Sequence, residues 1–430
     1  MQPLVWDESA LSFLAVCFRH KDKFIVANAD PILLKDLRDF IVKSWKDGIQ
    51  KEYADFADCP YKVFKLYGKP FMHGGMVRAS HNEKVSLKVM LCNLLPFLKD
   101  NGWTIGASFN VFRALSSSNV WTFNRCEPQK ESHPIICLSM SKCNRLHLVN
   151  APGAVRAAFK DSIGPITKEV LRSTANELSV QTTGKPWAEE ELTYGSCTLA
   201  MVSFAAENRI RLFNFPVDLA ESLQKCLRSR IKNIEQISGL QNTCIELELS
   251  GQPWKLKDRD SYNSFAMISQ ILDVLGTAGW RAISSFKLDF GYGDKSAILL
   301  ANRGDTASHY FCLQTGLRNH IRIIRCPSAK LAEFCMAVIN KHWASGLTRK
   351  QWLTGATLEG KLRGDPFSSL ELIDSVEITQ ALCRVMALLD VVGWRLCVGA
   401  SLCADDDDAD ALHRDGLFFC QTQQDDDAND

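Results

Sequence analysis

Two kinds of segment alternate along the chain. In the first, two short runs of aliphatic, aromatic and β-branched residues flank a polar connection. A proline follows, and then apolar residues recur at helical spacing. This form appears as FLAVCFRHKDKFIVANADPILLKDLRDFIVKSW from Phe13 and IICLSMSKCNRLHLVNAPGAVRAAF from Ile135. It returns as LAMVSFAAENRIRLFNFPVDLAESLQKCL from Leu199 and YFCLQTGLRNHIRIIRCPSAKLAEFCMAVINKHW from Tyr310. The paired runs with Asn or Asp between them predict a hairpin. Leu34, Leu37 and Ile41, and Leu331, Phe334 and Val338, predict a helix with one buried face. Pro31, Pro152, Pro216 and Pro327 are expected at the first helical position, where a missing N–H costs nothing.

The second kind is a strand, an amphipathic helix and two further strands. The strands KVFKLYGKPF, CIELELSGQPW and LEGKLRGDPF share a Gly-x-Pro-aromatic ending, which also occurs in ELSVQTTGKPW. Each helix stops at Gly-Trp: Gly102–Trp103, Gly279–Trp280 and Gly393–Trp394. Glycine takes the left-handed conformation that ends a helix. Joined in chain order, the two kinds read strand, helix, four strands, helix. The expected organisation is a hairpin and helix over 1–57 that completes the last unit, and full units over 58–163 and 239–345. An abbreviated unit over 164–238, a partial unit over 346–421 and an acidic tail over 422–430 complete the chain. The abbreviated unit is short by about one helix and two strands, because Pro152 and Pro216 lie much closer than the flanking prolines do.

At the repeated ending, glycine turns the strand out of the sheet and proline stops it continuing. Phe71, Trp187, Trp254 and Phe367 then have two readings. They plug the layer between sheet and helix, or they line a shared recognition edge.

Composition narrows the class. Of 430 residues, 50 are Lys or Arg and 49 Asp or Glu, so no basic surplus points to nucleic acid. No apolar run is long enough to span a bilayer, and the N-terminus carries no secretion-signal pattern. The 16 cysteines, among them Cys92, Cys137, Cys244, Cys312, Cys335 and Cys383, sit singly in apolar segments without a C-x-x-C pair. They read as buried thiols of a cytoplasmic or nuclear protein, with no disulfides expected.

Candidate chemistry is sparse. Gly291–Lys295 lies between strands and reads as a hairpin turn, not a phosphate loop. His309 and His320 fall on neighbouring strands but lack metal-ligand spacing. No metal, no cofactor and no catalytic residue is assigned. The acidic run from Ala404 and the tail QDDDAND read as solvated segments that attract basic protein surfaces. Basic stretches at Arg228, at Arg318 with Arg322, and at Thr348 have two readings: ordinary solvated charge, or a positive face that takes nucleic acid or an anionic lipid head.

SWKDGIQ, KLYGKPF, NGW and DGLFF together resemble an uncharacterised eukaryotic tandem-repeat family. Its units carry Trp-x-x-Gly-Ile, Lys-Leu-x-Gly-x-Pro-Trp, Gly-Trp and Asp-x-Leu-Phe-Phe. The chain departs from that pattern at RIKNIEQ and GYGDKSAILLA. The element order also resembles the TATA-binding-protein-like fold. That resemblance implies an α+β protein of tandem β-α-β4-α repeats, with antiparallel sheets and helices on one face. The expected function is a non-enzymatic intracellular scaffold that binds a protein partner. A small-molecule or lipid carrier with a sheet–helix cavity and a nucleic-acid binder with a concave sheet stand as alternatives.

Overall fold

The computed structural model describes residues 13–19, 21–55, 61–71, 81–110, 119–130, 134–141, 145–183, 199–237, 244–254, 261–287, 296–304, 309–317, 319–367, 372–402 and 415–421. Four antiparallel sheets and seven α-helices lie within them.

The first unit contains β1 (Phe13–Arg19), β2 (Lys23–Ala27), α1 (Pro31–Ser44), β3 (Ile49–Asp55), β4 (Tyr61–Leu66), α2 (His81–Asp100), β5 (Trp103–Asn110) and β6 (Asn119–Arg125). Its sheet runs β3-β4-β2-β1-β6-β5. The second unit has only β7 (Cys137–Ser141), β8 (Arg145–Val149), α3 (Gly153–Ile163), β9 (Thr167–Ser173) and β10 (Glu177–Thr182) among the described residues. Its order is β7-β8-β10-β9.

The third unit repeats the full plan with β11 (Leu199–Ala205), β12 (Arg209–Phe213), α4 (Val217–Leu227), β13 (Ile231–Ile237), β14 (Cys244–Leu249), α5 (Ser261–Thr277), β15 (Trp280–Lys287) and β16 (Ser296–Asn302). The fourth contains β17 (Tyr310–Leu317), β18 (His320–Ile324), α6 (Ala329–His342), β19 (Leu347–Thr354), β20 (Thr357–Leu362), α7 (Leu372–Val391), β21 (Trp394–Ser401) and β22 (Asp415–Gln421). Both sheets keep the strand order of the first. The first two units form one compact body and the last two another.

Strand pairing corrects the expected phase of the repeat. β1 pairs with β2 on one side and β6 on the other, with Phe13 opposite Asn124. β22 pairs with β17 and β21. The N-terminal hairpin therefore opens the first unit instead of completing the last, and no unit gathers its strands as strand, helix, four strands, helix. A cyclic repeat gives the same element order from any starting point, and only the long-range pairing sets where a unit begins.

Helix placement needs a second correction. The fourth sheet carries α6 and α7 on one face and α5, from the preceding unit, on the other. Tyr310, Cys312 and Phe418 join the α5 core, while Phe311 and Phe419 point the opposite way and are fully buried too. Gly416 makes this second layer fit. A Cβ there would stand 2.5 Å from the Phe265 ring of α5.

The junctions repeat closely. After the second strand of each unit, Asn28, Asn150, Asn214 and Arg325 hold positive φ, a conformation that asparagine tolerates better than most residues. Asn150 donates to the Ile135 carbonyl at 2.9 Å, Asn214 to that of Leu199 and Arg325 to that of Tyr310. The prolines that follow are placed less uniformly than expected. Pro31 opens its helix behind the Asp30 cap. Pro152 and Pro216 are themselves caps, and Pro327 precedes the Ser328 cap.

The Gly-x-Pro-aromatic bend ties the end of one strand to the first hairpin. Leu66, Leu249 and Leu362 donate to Asp22, Asn208 and Asn319 in the hairpin turns, at 2.8, 2.8 and 2.7 Å. Gly68, Gly251 and Gly364 then take φ of 80°, 76° and 80°. Phe71 and Trp254 donate backbone bonds back to Lys21 and Glu207, each at 3.0 Å. In two units a helix-end tryptophan locks the same place. Trp45 Nε1 donates to the Tyr67 carbonyl and Trp343 Nε1 to that of Arg363, both at 3.1 Å.

The outer edge strands β3, β13 and β19 each carry a bulge near their start, at Ile49/Lys51, Ile231/Asn233 and Leu347/Arg349. Bulges and charge together discourage edge-to-edge pairing of sheets.

Trp343 tests the lock. Trp343→Ala is expected to lower unfolding free energy by about 3–5 kcal/mol. Trp343→Phe keeps most of the volume but leaves the Arg363 carbonyl without its donor, at a cost of about 1–2 kcal/mol. Urea denaturation of both variants checks the order, and equal losses would refute a role for the indole N–H.

Candidate functional site

The proposed recognition residues divide sharply by burial. Phe71, Trp254 and Phe367 are 3%, 0% and 1% exposed. Their rings fill the core beneath the first hairpin, with Phe71 5.3 Å from Phe18 and Trp254 5.0 Å from Phe204 between ring centroids. The reading of these three as a recognition edge is therefore corrected, and they are plugs. Trp187 and Arg318 lie outside the described residues, as do Gly291–Lys295, the acidic run and the tail.

Arg322 is also buried, between the fourth sheet and α5. Its Nε donates to Glu359 Oε2 at 2.6 Å and its Nη1 to Ser261 Oγ at 2.9 Å. Gln314 Nε2 reaches the same Ser261 oxygen at 3.1 Å. Gln351 donates to Glu359 Oε1 at 2.8 Å, and His320 Nδ1 lies 3.4 Å from it. Burial pushes the Glu359 carboxyl up, but hydrogen bonds from His320 and Arg322 outweigh it and hold the group at about 2. An ion pair closed on every side gives specificity of fit, not an open contact.

The position recurs. The residue at the centre of each unit's second strand faces a set partner: Arg211 opposite Glu246 in the third sheet, His147 opposite Ser179 in the second, and Ile25 opposite Val63 in the first. Arg211 Nε lies 2.6 Å from Glu246, and His147 Nδ1 lies 3.0 Å from Ser179 Oγ.

The exposed candidate lies on the other face of the fourth sheet. A groove of about 820 Å³ runs between α6 and the edge strand β19. Lys330, Phe334, Arg349 and Lys350 line it, with Glu333 of α6 paired to Lys350. Asn340 Oδ1 accepts from the Leu347 backbone at 2.8 Å and fixes the start of the strand. Trp352, two residues beyond Lys350 on the strand, is 40% exposed. Arg349 and Trp352 belong to the basic stretch at Thr348, but periodicity could not place them at an edge.

A single domain-family profile matches the chain over residues 12–124, 198–301 and 309–415. The chain belongs to this repeat-domain family. The family's unit coincides with the first, third and fourth sheets, each with its two helices, and leaves the short second unit outside the match. No curated protein and no solved structure matches the chain.

Within the family's units no helix among the described residues is long and apolar enough to cross a membrane. No described group of His, Cys, Asp and Glu is arranged to hold a metal. His309 and His320 have separate surroundings: the first packs 6.3 Å from Trp394 between ring centroids, and the second adjoins Glu359. Sequence reading also missed two thiol contacts. Cys92 on α2 lies beside Cys137 on β7, and Cys397 meets Cys420 across β21 and β22.

The Arg322–Glu359 pair yields a comparison supplied by the fold itself. Glu359→Val is expected to cost about 3–5 kcal/mol, because it strands the Arg322 charge. Arg322→Ile with Glu359→Val recreates the apolar pair of the first sheet and is expected to recover about half of that loss. A double variant no more stable than the single one would refute the exchange. The pH dependence has a definite sign. Glu359 is held below its ordinary 4.5, so its contribution is present above that value and fades as pH falls toward about 2. Urea midpoints of the wild type should fall more steeply over this window than those of Glu359→Val.

Proposed function

We propose that the chain is a non-enzymatic binding scaffold that recognises a protein partner through its repeat surfaces, with β19 and α6 of the fourth unit as the contact. The groove between them carries this reading: Lys330 and Arg349 give it a positive rim, and Trp352 stands exposed further along the same edge strand. Tryptophan and arginine dominate the energetics of protein interfaces. Arg349 and Lys330 on the rim favour acidic side chains of the partner.

A second space, between α6 and α7 and lined by Leu331, Cys335, Val338 and Leu389 among others, has no room for even a water molecule. It is smaller than the roughly 300–1,000 Å³ of ordinary ligand sites, which favours the surface over a carrier role.

The test is proximity crosslinking in cells with Arg349→Glu and Trp352→Ala combined, after circular dichroism shows that the variant keeps its fold. Partner crosslinks are expected to fall at least about tenfold. An unchanged crosslink set, or nucleic acid as the main crosslinked species, would sink the proposal.

A further inference from the structure

The ladder between β21 and β22 breaks register once. Leu396 faces Phe419 and Val398 faces Phe418, which leaves Cys397 as the extra residue of a bulge. Its Sγ lies 2.9 Å from Cys420 Sγ. Cys420 is a buried residue and Cys397 a partly buried one packed against the core. Arg281, reaching over from β15 of the third unit, places Nη1 3.5 Å from Cys420 Sγ.

Packing does not require sulfur here. β15 and β16 carry the same bulge, between Ala282 and Ser284. Ile283 stands there where the fourth unit has Cys397, and Ala301, opposite Arg281, stands where it has Cys420. One plan thus accepts Ile and Ala at these positions, while the fourth unit places two thiols in contact beside a cation.

We infer that Cys397 and Cys420 form an oxidant-responsive dithiol that closes to a disulfide between β21 and β22 when it meets a hydroperoxide.

The surroundings assign the roles. The hydrogen bond from the Cys397 thiol, and after it the nearby Arg281 charge, outweigh burial and bring Cys420 down to about 7. The same hydrogen bond, with burial, pushes Cys397 well up. Tyr310 of β17 also faces the pair, and burial raises its hydroxyl. Arg395, opposite Cys420 in the ladder, is turned to Asp390 at 3.3 Å. Cys420 is therefore the attacking thiolate and Cys397 the resolving thiol.

The thiolate attacks one peroxide oxygen and the O–O bond breaks. Cys420 becomes a sulfenic acid, and the departing hydroxide takes up the proton that Cys420 released. Cys397 sulfur then attacks that sulfur, so the S–S bond forms and the S–O bond breaks. The oxygen leaves as water with the Cys397 proton. Two thiols and one hydrogen peroxide yield one disulfide and two waters, and a dithiol reductant reverses the step. Closure removes the negative charge that faces Arg281 at the junction of the third and fourth sheets.

The test treats the full chain with hydrogen peroxide and maps linkages by mass spectrometry before and after dithiothreitol. The expected result is an intramolecular Cys397–Cys420 bond that the reductant abolishes. Its rate of formation should rise about tenfold from roughly pH 6 to pH 8, following the Cys420 thiolate. Cys420→Ala, the residue of the third unit, should remove the linkage. Cys397→Ile should instead leave a sulfenic acid on Cys420 that dimedone labels. A linkage of either residue to Cys403 in place of the pair, a dimer on a non-reducing gel, or oxidation confined to Cys92 and Cys137 would overturn the inference. The wild-type map decides even if a variant fails to fold.

Discussion

Each full unit depends on the closure of its fourth strand against its own first hairpin. The strand's last residue bonds into the hairpin turn, the chain bends at glycine, and an aromatic ring fills the space beneath. Burying such a ring stabilises by about 1.5–3 kcal/mol, and each of the backbone bonds adds about 1 kcal/mol. The aromatic load is shared in two ways. In the first and fourth units a helix-end tryptophan, Trp45 or Trp343, accompanies a phenylalanine after the bend. In the third unit the helix ends at Leu227, which stands where the others have tryptophan, and the bend supplies Trp254. Its indole N–H donates to the Arg209 carbonyl at 2.9 Å. Total volume and one buried donor are kept while the contributing element changes.

Polar residues refine this frame. The position opposite Glu359 holds arginine where the sheet is capped by a second helix layer, and its counterpart in the first sheet is apolar. Arg322 reaches Ser261 at the start of α5, so the pair fixes the register of that helix on a sheet from another unit. The exposed groove on the opposite face follows from the same construction. α6 turns its apolar side, including Cys335 and Val338, to α7 and the sheet and leaves Lys330 and Glu333 to solvent.

Much of the architecture was legible because it repeats. The hairpins, the proline junctions, the Gly-Trp helix ends and the Gly-x-Pro bends are local, and each has a local cause. The phase was not legible, since Phe13 meets Asn124 only through pairing across the whole unit. The second helix layer on the fourth sheet was hidden too, although Tyr310–Leu313 of β17 and Leu417–Cys420 of β22 are short continuous apolar runs, the mark of strands covered on both faces. Arg322 was picked for its charge, but its partner lies 37 residues away on another strand, so an internal pair read as a surface cation. Cys397 was invisible as half of a pair because a bulge, not alternation, aims it. Trp352 and Lys350 were noted only as part of a basic stretch, since nothing local marks a strand as the edge of its sheet.

The shared helix α5 has a further meaning. Phe265 is seated by Gly416, a residue about 150 positions later in the chain. Severing the chain between the third and fourth units would leave the ring side of α5 bare and strip the fourth sheet of its cover on that side. Neither half is a self-sufficient module, although the family's repeat is counted in single units. The two share one packed core around α5, so they are expected to melt together.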